Sequence, residues 1–282
     1  MKIDAHQHFW KLDRGDYDWL TPDLAPLFRD YLPEDLAPLL RSTGVDGTIV
    51  VQAAATVAET EFMLSLADQN DWIYGVVGWV DFESPDAPST IARLAAHPKL
   101  VGLRPMIQDI PEVDWMLRDA LRPTIDAMIT HNLTFDALVL LRHLEHLKSF
   151  QLRYPDLRVV IDHGAKPDIR HGKFELWAGQ IRQIADGEGT FCKLSGLVTE
   201  AAENWKPEDL IPYVEHILQS FGHNRVLFGS DWPVLNLRSG YEDWHALVSD
   251  LISTASSRHQ SAVMATAAEN AYPRVRTSAP GI

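Results

Sequence analysis

Short apolar runs alternate with longer amphipathic stretches along almost the whole chain, and few folds accommodate such an alternation. Several of the runs are rich in β-branched residues and nearly continuous in hydrophobicity, as in strands buried on both faces. The predicted strands are Lys2–His6, Thr48–Gln52, Ile73–Val80, Leu100–Pro105, Leu133–Ala137, Arg158–His163, Thr190–Leu194 and Val226–Ser230. The predicted helices are Pro33–Ser42, Ala58–Gln69, Pro85–Ala96, Val113–Thr130, His143–Arg153, Lys173–Asp186, Pro207–Ser220, Tyr241–Thr254 and Arg258–Tyr272.

Repeated strand-then-helix units predict a parallel sheet with helices packed outside it. Eight units and a last helix favour an α/β fold, a single (β/α)8 TIM-like barrel with an extra C-terminal helix. Because such barrels of about 250 residues are commonly one domain, we expect a single domain over residues 1–282. An open, doubly wound sheet is the alternative, since it differs by a miscount of one strand.

The charge balance argues against nucleic acid and membrane surfaces as partners. Lys and Arg total 25 against 39 Asp and Glu, a formal net charge of −14, which has the wrong sign for phosphate backbones or anionic lipid. The one cysteine cannot form an intrachain disulfide, and neither a signal peptide nor a run of about 18 apolar residues is visible. We expect a cytoplasmic protein with a small-molecule partner, and a homo-oligomer is compatible with the sequence.

Polar and ionisable residues collect where the predicted strands end. In a (β/α)8 barrel the active site is built at the C-terminal ends of the strands. The residues at these ends are His6 and His8, Gln52, Arg104, Asp136, Asp162, His163, Lys166, Lys193, Ser195 and Asp231. Their shared position predicts a catalytic site at this end of the barrel.

Three histidines and one aspartate are the candidate catalytic residues. His6 and His8 are two apart, so both imidazoles of an extended segment face one side, where they can chelate a metal or bind a carbonyl oxygen. Asp231 follows an apolar strand, which suits a general base that takes a proton from water. His163 adds a third imidazole, and Asp162 is expected to point the other way. A surface histidine pair, a helix cap and a core histidine are the plain alternatives.

Substrate contacts are predicted from cationic, amide and aromatic side chains. Arg104 brings a forked cation suited to a carboxylate or to hydroxyl groups, although a salt bridge inside the barrel wall fits equally well. Lys166 and Gln52 are further polar candidates, and Lys193 is a weaker one. An apolar wall is predicted from Phe9, Trp10, Tyr17, Trp19 and Trp232. The loops 11–29 and 233–240 are expected to set specificity.

Five segments resemble one known family. They are HQHFW at 6–10, GLRP at 102–105, DHGAKP at 162–167, CKLSGL at 192–197 and GSDWP at 229–233. In order and spacing they resemble the amidohydrolase superfamily (amidohydrolase-related family 2). Within it they are most similar to the branch of sugar-acid lactonases (L-fuconolactonase, L-rhamnonolactonase) and 2-pyrone-4,6-dicarboxylate lactonase.

The resemblance implies a distorted barrel that hydrolyses an ester or lactone bond. By this analogy Asp231 is the base that activates water, and His6, His8 and His163 hold a metal or polarise the carbonyl. Arg104 stands where binuclear members have a bridging lysine or glutamate, and Asp136 where many mononuclear members have a histidine. A binuclear site is therefore disfavoured.

Two versions of the cofactor stay open at this point. One Zn²⁺ held by His6, His8 and Asp231, with or without His163, is chemically reasonable. Metal-independent catalysis is equally compatible, because a lactone needs less activation than an amide.

The predicted function is that of a hydrolase in carbohydrate catabolism. It opens a sugar-derived aldonolactone, such as L-fucono- or L-rhamnonolactone, by attack of Asp231-activated water on the carbonyl. A metal-dependent decarboxylase of an aromatic or unsaturated acid, a hydrolase of a dicarboxylate lactone and a silent sugar-acid-binding barrel are the alternatives.

Overall fold

Eight parallel strands pair in chain order and curl into a nearly closed barrel. The structure, a computed structural model, describes residues 1–277. The strands are β1 Ile3–Gln7, β2 Gly47–Val51, β3 Ile73–Gly78, β4 Leu100–Leu103, β5 Thr134–Ala137, β6 Val159–Ile161, β7 Thr190–Leu194 and β8 Val226–Phe228. The His8 amide donates to the Trp232 carbonyl at 2.7 Å, and the Asp231 amide donates to the His6 carbonyl at 2.7 Å. These bonds join β1 to the segment after β8. The predicted barrel is therefore confirmed, and the alternative of an open sheet is wrong.

Helices surround the barrel, and the last of them lies across one of its ends. They are α1 Pro33–Thr43, α2 Val57–Gln69, α3 Ala87–Ala95, α4 Arg122–Thr130, α5 Leu144–Arg153, α6 Glu175–Ile184, α7 Leu197–Glu200, α8 Pro207–Phe221, α9 Tyr241–Leu251, α10 Ser257–Ser261 and α11 Ala267–Ala271, with a π-helical turn at Ala262–Thr266. None of the helices within residues 1–277 has the length and apolar character needed to cross a membrane.

The predicted helix Val113–Thr130 is wrong in its first half. Two separate 3₁₀ turns, Trp115–Leu117 and Asp119–Leu121, precede α4, which begins at Arg122. Pro123 stands in the first turn of α4. Proline is favoured in the first turn of a helix, where its missing N–H has no partner to lose, so Pro123 suits the start of α4. The apolar periodicity of the segment does not reveal the extended backbone at Arg118, which separates the two turns.

The extra C-terminal helix plugs the barrel from below, at the end where the strands begin. Ala268, Ala271 and Tyr272 pack with inward-facing strand residues such as Ile3 in one buried cluster. Thr134, the first residue of β5, donates its hydroxyl to the Ala271 carbonyl at 2.6 Å. The last helix therefore closes the barrel opposite the strand ends that carry the predicted site.

Tyr272 links this plug to the interior of the barrel. Its hydroxyl lies 2.8 and 3.0 Å from the two carboxylate oxygens of Asp136, and both residues are fully buried. We expect Tyr272→Phe to lower the free energy of unfolding by about 1.5–3 kcal/mol, because it removes a hydrogen bond to a charged group. Tyr31→Phe is the control in urea unfolding, since it removes a bond to the neutral Pro26 carbonyl and should cost only about 0.5–1.5 kcal/mol. Equal losses would contradict the assigned charge of Asp136.

Candidate active site

Four of the predicted catalytic side chains meet at the upper end of the barrel. His8 Nε2 lies 3.2 Å from both His6 Nε2 and Asp231 Oδ1. Asp231 Oδ1 is also 3.5 Å from His6 Nε2 and 3.9 Å from His163 Nε2. All four residues are at most 5% exposed. One carboxylate oxygen is therefore surrounded by three imidazole nitrogens.

Irregular backbone brings these groups together. The pairing register of β1 with β2 shifts between Asp4 and Gln7, on either side of His6. His163 and Asp231 adopt left-handed backbone angles, with φ of 54° and 60°. Such angles cost roughly 1–3 kcal/mol per residue outside glycine and cluster at functional sites. Five non-glycine residues within 1–277 have such angles, and three of them, His163, Lys166 and Asp231, are strand-end candidates.

Glycine allows the close packing around His163. A Cβ atom on Gly196 would lie 2.4 Å from His163 Nδ1, and Gly196 itself has a φ of +63°. Both the left-handed angle and the contact exclude a larger residue. The segment after β7 therefore presses directly against the imidazole.

The expected direction of Asp162 is wrong. The prediction assumed an extended strand through His163, but β6 ends at Ile161 and the chain turns into a 3₁₀ segment. Asp162 Oδ1 consequently lies 3.4 Å from His6 Nδ1, on the side of the histidines. The end of the strand, which periodicity does not reveal, places Asp162 directly behind a catalytic candidate.

The outer nitrogens of His8 and His163 are anchored. His8 Nδ1 must donate to the Val51 carbonyl, 2.8 Å away, because a carbonyl only accepts. His8 Nε2 then faces Asp231 Oδ1 at 3.2 Å. His163 Nδ1 lies 2.9 Å from Ser195 Oγ. Anchoring of the outer nitrogen is typical of histidines that bind metals.

Burial and neighbouring charge set the protonation of this cluster. Burial lowers the pKa of His163 to about 4, so its ring is neutral near pH 7. Burial also lowers the pKa of His6, and the nearby Lys193 lowers it further. Burial opposes ionisation of Asp231, but the surrounding histidines outweigh it and hold the pKa of that carboxyl below its ordinary value. The site thus pairs an ionised Asp231 carboxylate with the neutral imidazoles of His6 and His163.

These residues form a candidate metal site. His6, His163 and Asp231 each offer a ligand atom, and the three atoms lie within 4.8 Å of one another. This set differs in one member from the predicted His6, His8 and Asp231, but His8 lies beside it. Two nitrogens and one carboxylate oxygen suit a mononuclear divalent centre with an open position.

A charged network lies beneath the histidines, inside the barrel. Lys193 Nζ lies 2.5 Å from Asp136 Oδ2 and 3.0 Å from Asp162 Oδ1, and all three side chains are inaccessible to solvent. Arg104 Nη1 is 3.2 Å from Asp162 Oδ2. Lys193 is therefore part of this buried network and does not face a substrate. The network supports His6 through Asp162.

A cavity of about 300 Å³ opens above the network. It is lined by His8, Trp19, Ala53, Arg104, Met106, Gln108, Asp109, Leu138, His163, Lys166, Asp231 and Val234. Its volume is at the lower end for ligand pockets, which suits a single sugar ring. Buried Arg104 keeps its Nε without a hydrogen-bond partner among residues 1–277, although its two outer nitrogens are occupied. Lys166 Nζ donates to Gln108 Oε1 at 2.7 Å.

Three predicted substrate contacts lie outside this wall. Gln52 is fully buried and donates its side-chain amide to the Arg104 carbonyl. Trp10 packs in the core with its indole N–H on the Arg29 carbonyl, and Trp232 packs edge-on against Phe9. Large aromatic side chains contribute to stability through the area they bury, so both indoles act in packing. Of the predicted aromatic wall, Trp19 lines the cavity.

The segment after β4 was missed as a source of site residues. Met106, Gln108 and Asp109 follow Arg104 directly and line the cavity. Two backbone turns return them over the barrel mouth, and their side chains carry no periodic pattern. Only their place, immediately after a strand end, could have marked them.

The chain matches an amidohydrolase family profile over residues 3–274. It is 46% identical over 245 residues to the L-fucono-1,5-lactonase of Burkholderia ambifaria, covering 87% of this chain and 84% of that relative. It is 34% identical over 261 residues to the L-fucono-1,5-lactonase of Burkholderia multivorans, covering 88% and 87%. A crystal structure of an amidohydrolase from Burkholderia multivorans with bound zinc superposes with a TM-score of 0.90, at 32% identity, over 97% of this chain and 99% of that chain.

Proposed function

The chain belongs to the amidohydrolase family, and from this premise we propose that it is a lactonase, a hydrolase that opens the ring of a sugar-derived aldonolactone. The observation that carries the proposal is the Asp231 carboxylate, which three imidazoles surround at the head of a cavity of about 300 Å³. The 46% identity to an L-fucono-1,5-lactonase favours a 1,5-lactone of a 6-deoxy sugar as the substrate.

In the proposed reaction Asp231 acts on water. Held ionised, it takes a proton from a water molecule as that water attacks the lactone carbonyl. It returns the proton to the ring oxygen as the carbon–oxygen bond breaks, so the product is an open hydroxy acid. The low exposure of Asp231, 4%, keeps bulk water from competing for this proton.

Charge on the carbonyl oxygen is met by donors in the cavity wall. Arg104 and Lys166 both line the cavity and bring two positively charged groups to its wall. Preorganised donors of this kind stabilise an oxyanion strongly where water is excluded. We assign the remaining N–H donors of the Lys166 ammonium to hydrogen bonds with the sugar hydroxyls. Gln52, Trp10 and Trp232 lie behind the cavity wall and support it.

We also propose that the cluster binds one divalent metal, with zinc as the preferred ion. His6, His163 and Asp231 would hold it, with His8 alongside, because their ligand atoms lie within 4.8 Å of one another and the outer nitrogens of His8 and His163 are anchored. Such an ion polarises a carbonyl oxygen as a Lewis acid.

Zinc titration against a chromophoric chelator tests the metal proposal. We expect one equivalent per wild-type chain, and a loss of affinity in His6→Ala that exceeds the roughly 10- to 100-fold typical of an outer hydrogen-bond partner. His245→Ala is the control, because that buried histidine contacts Lys2 instead. Equal zinc affinity in wild type and His6→Ala would remove His6 from the ligand set.

A proton-release assay tests the function. Ring opening forms a carboxylic acid, so a pH indicator reports turnover of L-fucono-, L-rhamnono- and D-gluconolactone and of 2-pyrone-4,6-dicarboxylate. We expect kcat/KM of about 10⁴ M⁻¹ s⁻¹ or more on one aldonolactone. A rate no greater than spontaneous opening on every lactone would refute the reaction class.

A further inference from the structure

Glu59 is a buried carboxylate that the proposed reaction does not use. It lies in the first turn of α2 and is fully buried. Its Oε2 accepts the Tyr17 hydroxyl at 2.7 Å, and its Oε1 accepts the Ala53 amide at 3.2 Å. Arg14 Nη2 lies 3.5 Å away. A carboxylate this deep is costly unless each of its oxygens is satisfied, so these contacts form a built anchor.

The anchor joins the loop after β1 to the strand end of β2. Arg14 and Tyr17 belong to the loop, and Ala53 is the second residue after β2. Trp19, two residues beyond Tyr17, donates its indole N–H to the Ala53 carbonyl at 2.8 Å. Ala53 therefore has its amide bound by Glu59 and its carbonyl bound by Trp19.

Two residues of this set of contacts lie at the cavity. Trp19 and Ala53 line it, although Trp19 is 38% exposed and packs edge-on against Trp10 on one side. The peptide between Gln52 and Ala53 also accepts Arg104 Nη2 on its carbonyl. One peptide unit is thus bound by the Glu59 carboxylate on one edge and by the Arg104 guanidinium on the other.

We propose that Glu59 is a positioning residue that fixes Trp19 as the aromatic wall of the cavity and thereby sets the affinity for substrate. The role in affinity rests on the proposed lactonase function; the role in holding Trp19 does not. An indole held in place gives a sugar ring an apolar face at low entropic cost, whereas a mobile one must be ordered on binding.

Acrylamide quenching of tryptophan fluorescence tests the positioning without any turnover. Glu59→Ala is compared with wild type and, separately, in a Trp19→Phe background. We expect Glu59→Ala to raise the quenching constant only where Trp19 is present. Glu61→Ala is the matched control, since it removes a carboxylate from the same helix that pairs with Arg93 at the surface, and it should leave quenching unchanged. No rise, or an equal rise without Trp19, would overturn the proposal.

Kinetics test the consequence for substrate. Ordering one side chain on binding costs about 0.5–1.5 kcal/mol, so Glu59→Ala should raise KM by roughly 3- to 10-fold with kcat unchanged. Glu59→Gln, which can still accept from Ala53, should restore most of the affinity. A fall in kcat at constant KM would overturn the role in affinity. A Trp19-dependent quenching change in a protein that turns over no lactone would refute the lactonase function alone.

Tyr17→Phe keeps the test available if Glu59→Ala does not fold. It removes one contact of the anchor and leaves the carboxylate in place. We expect a smaller, Trp19-dependent rise in quenching, and an unchanged quenching constant in this folded variant counts against the anchor.

Discussion

Asp231→Asn is expected to lower kcat by about 10²- to 10⁴-fold, the range that a general base contributes. The amide keeps the shape of the carboxylate but cannot take the proton of the attacking water. Because the lost interaction exists only in the transition state, kcat and kcat/KM should fall together. Stopped-flow proton release with the best lactone measures both constants.

Asp109→Asn is the matched control for this variant. Asp109 lines the same cavity but is exposed, so its loss should leave kcat unchanged. Zinc titration of both variants separates a lost base from a lost metal ligand. If Asp231→Asn retains kcat within about tenfold of wild type, Asp231 is not the base.

Lys193→Met is expected to lower the free energy of unfolding by about 3–5 kcal/mol. Lys193 is the shared partner of Asp136 and Asp162, at 2.5 and 3.0 Å, and no member of the group reaches solvent. Removing it leaves two carboxylates buried without their central cation, the most costly way to break a buried ion pair. Methionine keeps the volume of the stem, so the loss reports charge more than packing.

Lys173→Met provides the comparison at the surface. Lys173 Nζ lies 2.9 Å from Asp168 Oδ2, but the lysine side chain is 70% exposed. Exposed pairs contribute about 0–1 kcal/mol, so urea unfolding should barely change. Adding Asp136→Asn to Lys193→Met should recover part of the lost stability. Similar losses for the two lysines would contradict the account of the interior network.

The clustering of His6, His8, His163 and Asp231 was predictable because strand ends share one edge of a barrel. Eight apolar runs located that edge, and position alone then selected the residues. The direction of Asp162 was not predictable, because it depends on β6 ending at Ile161 and on the left-handed turn that follows. Such a turn leaves no periodic signature in the sequence.

Aromatic residues were the least predictable part of the site. Trp10, Trp19 and Trp232 all lie near the barrel mouth, and the contacts of neighbouring segments decide which of them faces the cavity. Glu59, which belongs to a helix in the sequence and not to a strand end, carries no local signal of its link to Trp19. The single domain over 1–282, the cytoplasmic location and a homo-oligomer stay predictions.

Hydrolysis in H₂¹⁸O tests the central claim most directly. Wild-type enzyme acting on L-fucono-1,5-lactone, faster than spontaneous opening, is predicted to place one ¹⁸O atom in the carboxylate of the product and none in the released ring hydroxyl. This follows from attack of water on the carbonyl carbon. Label in the ring hydroxyl, or release of CO₂ in place of a hydroxy acid, would contradict the account.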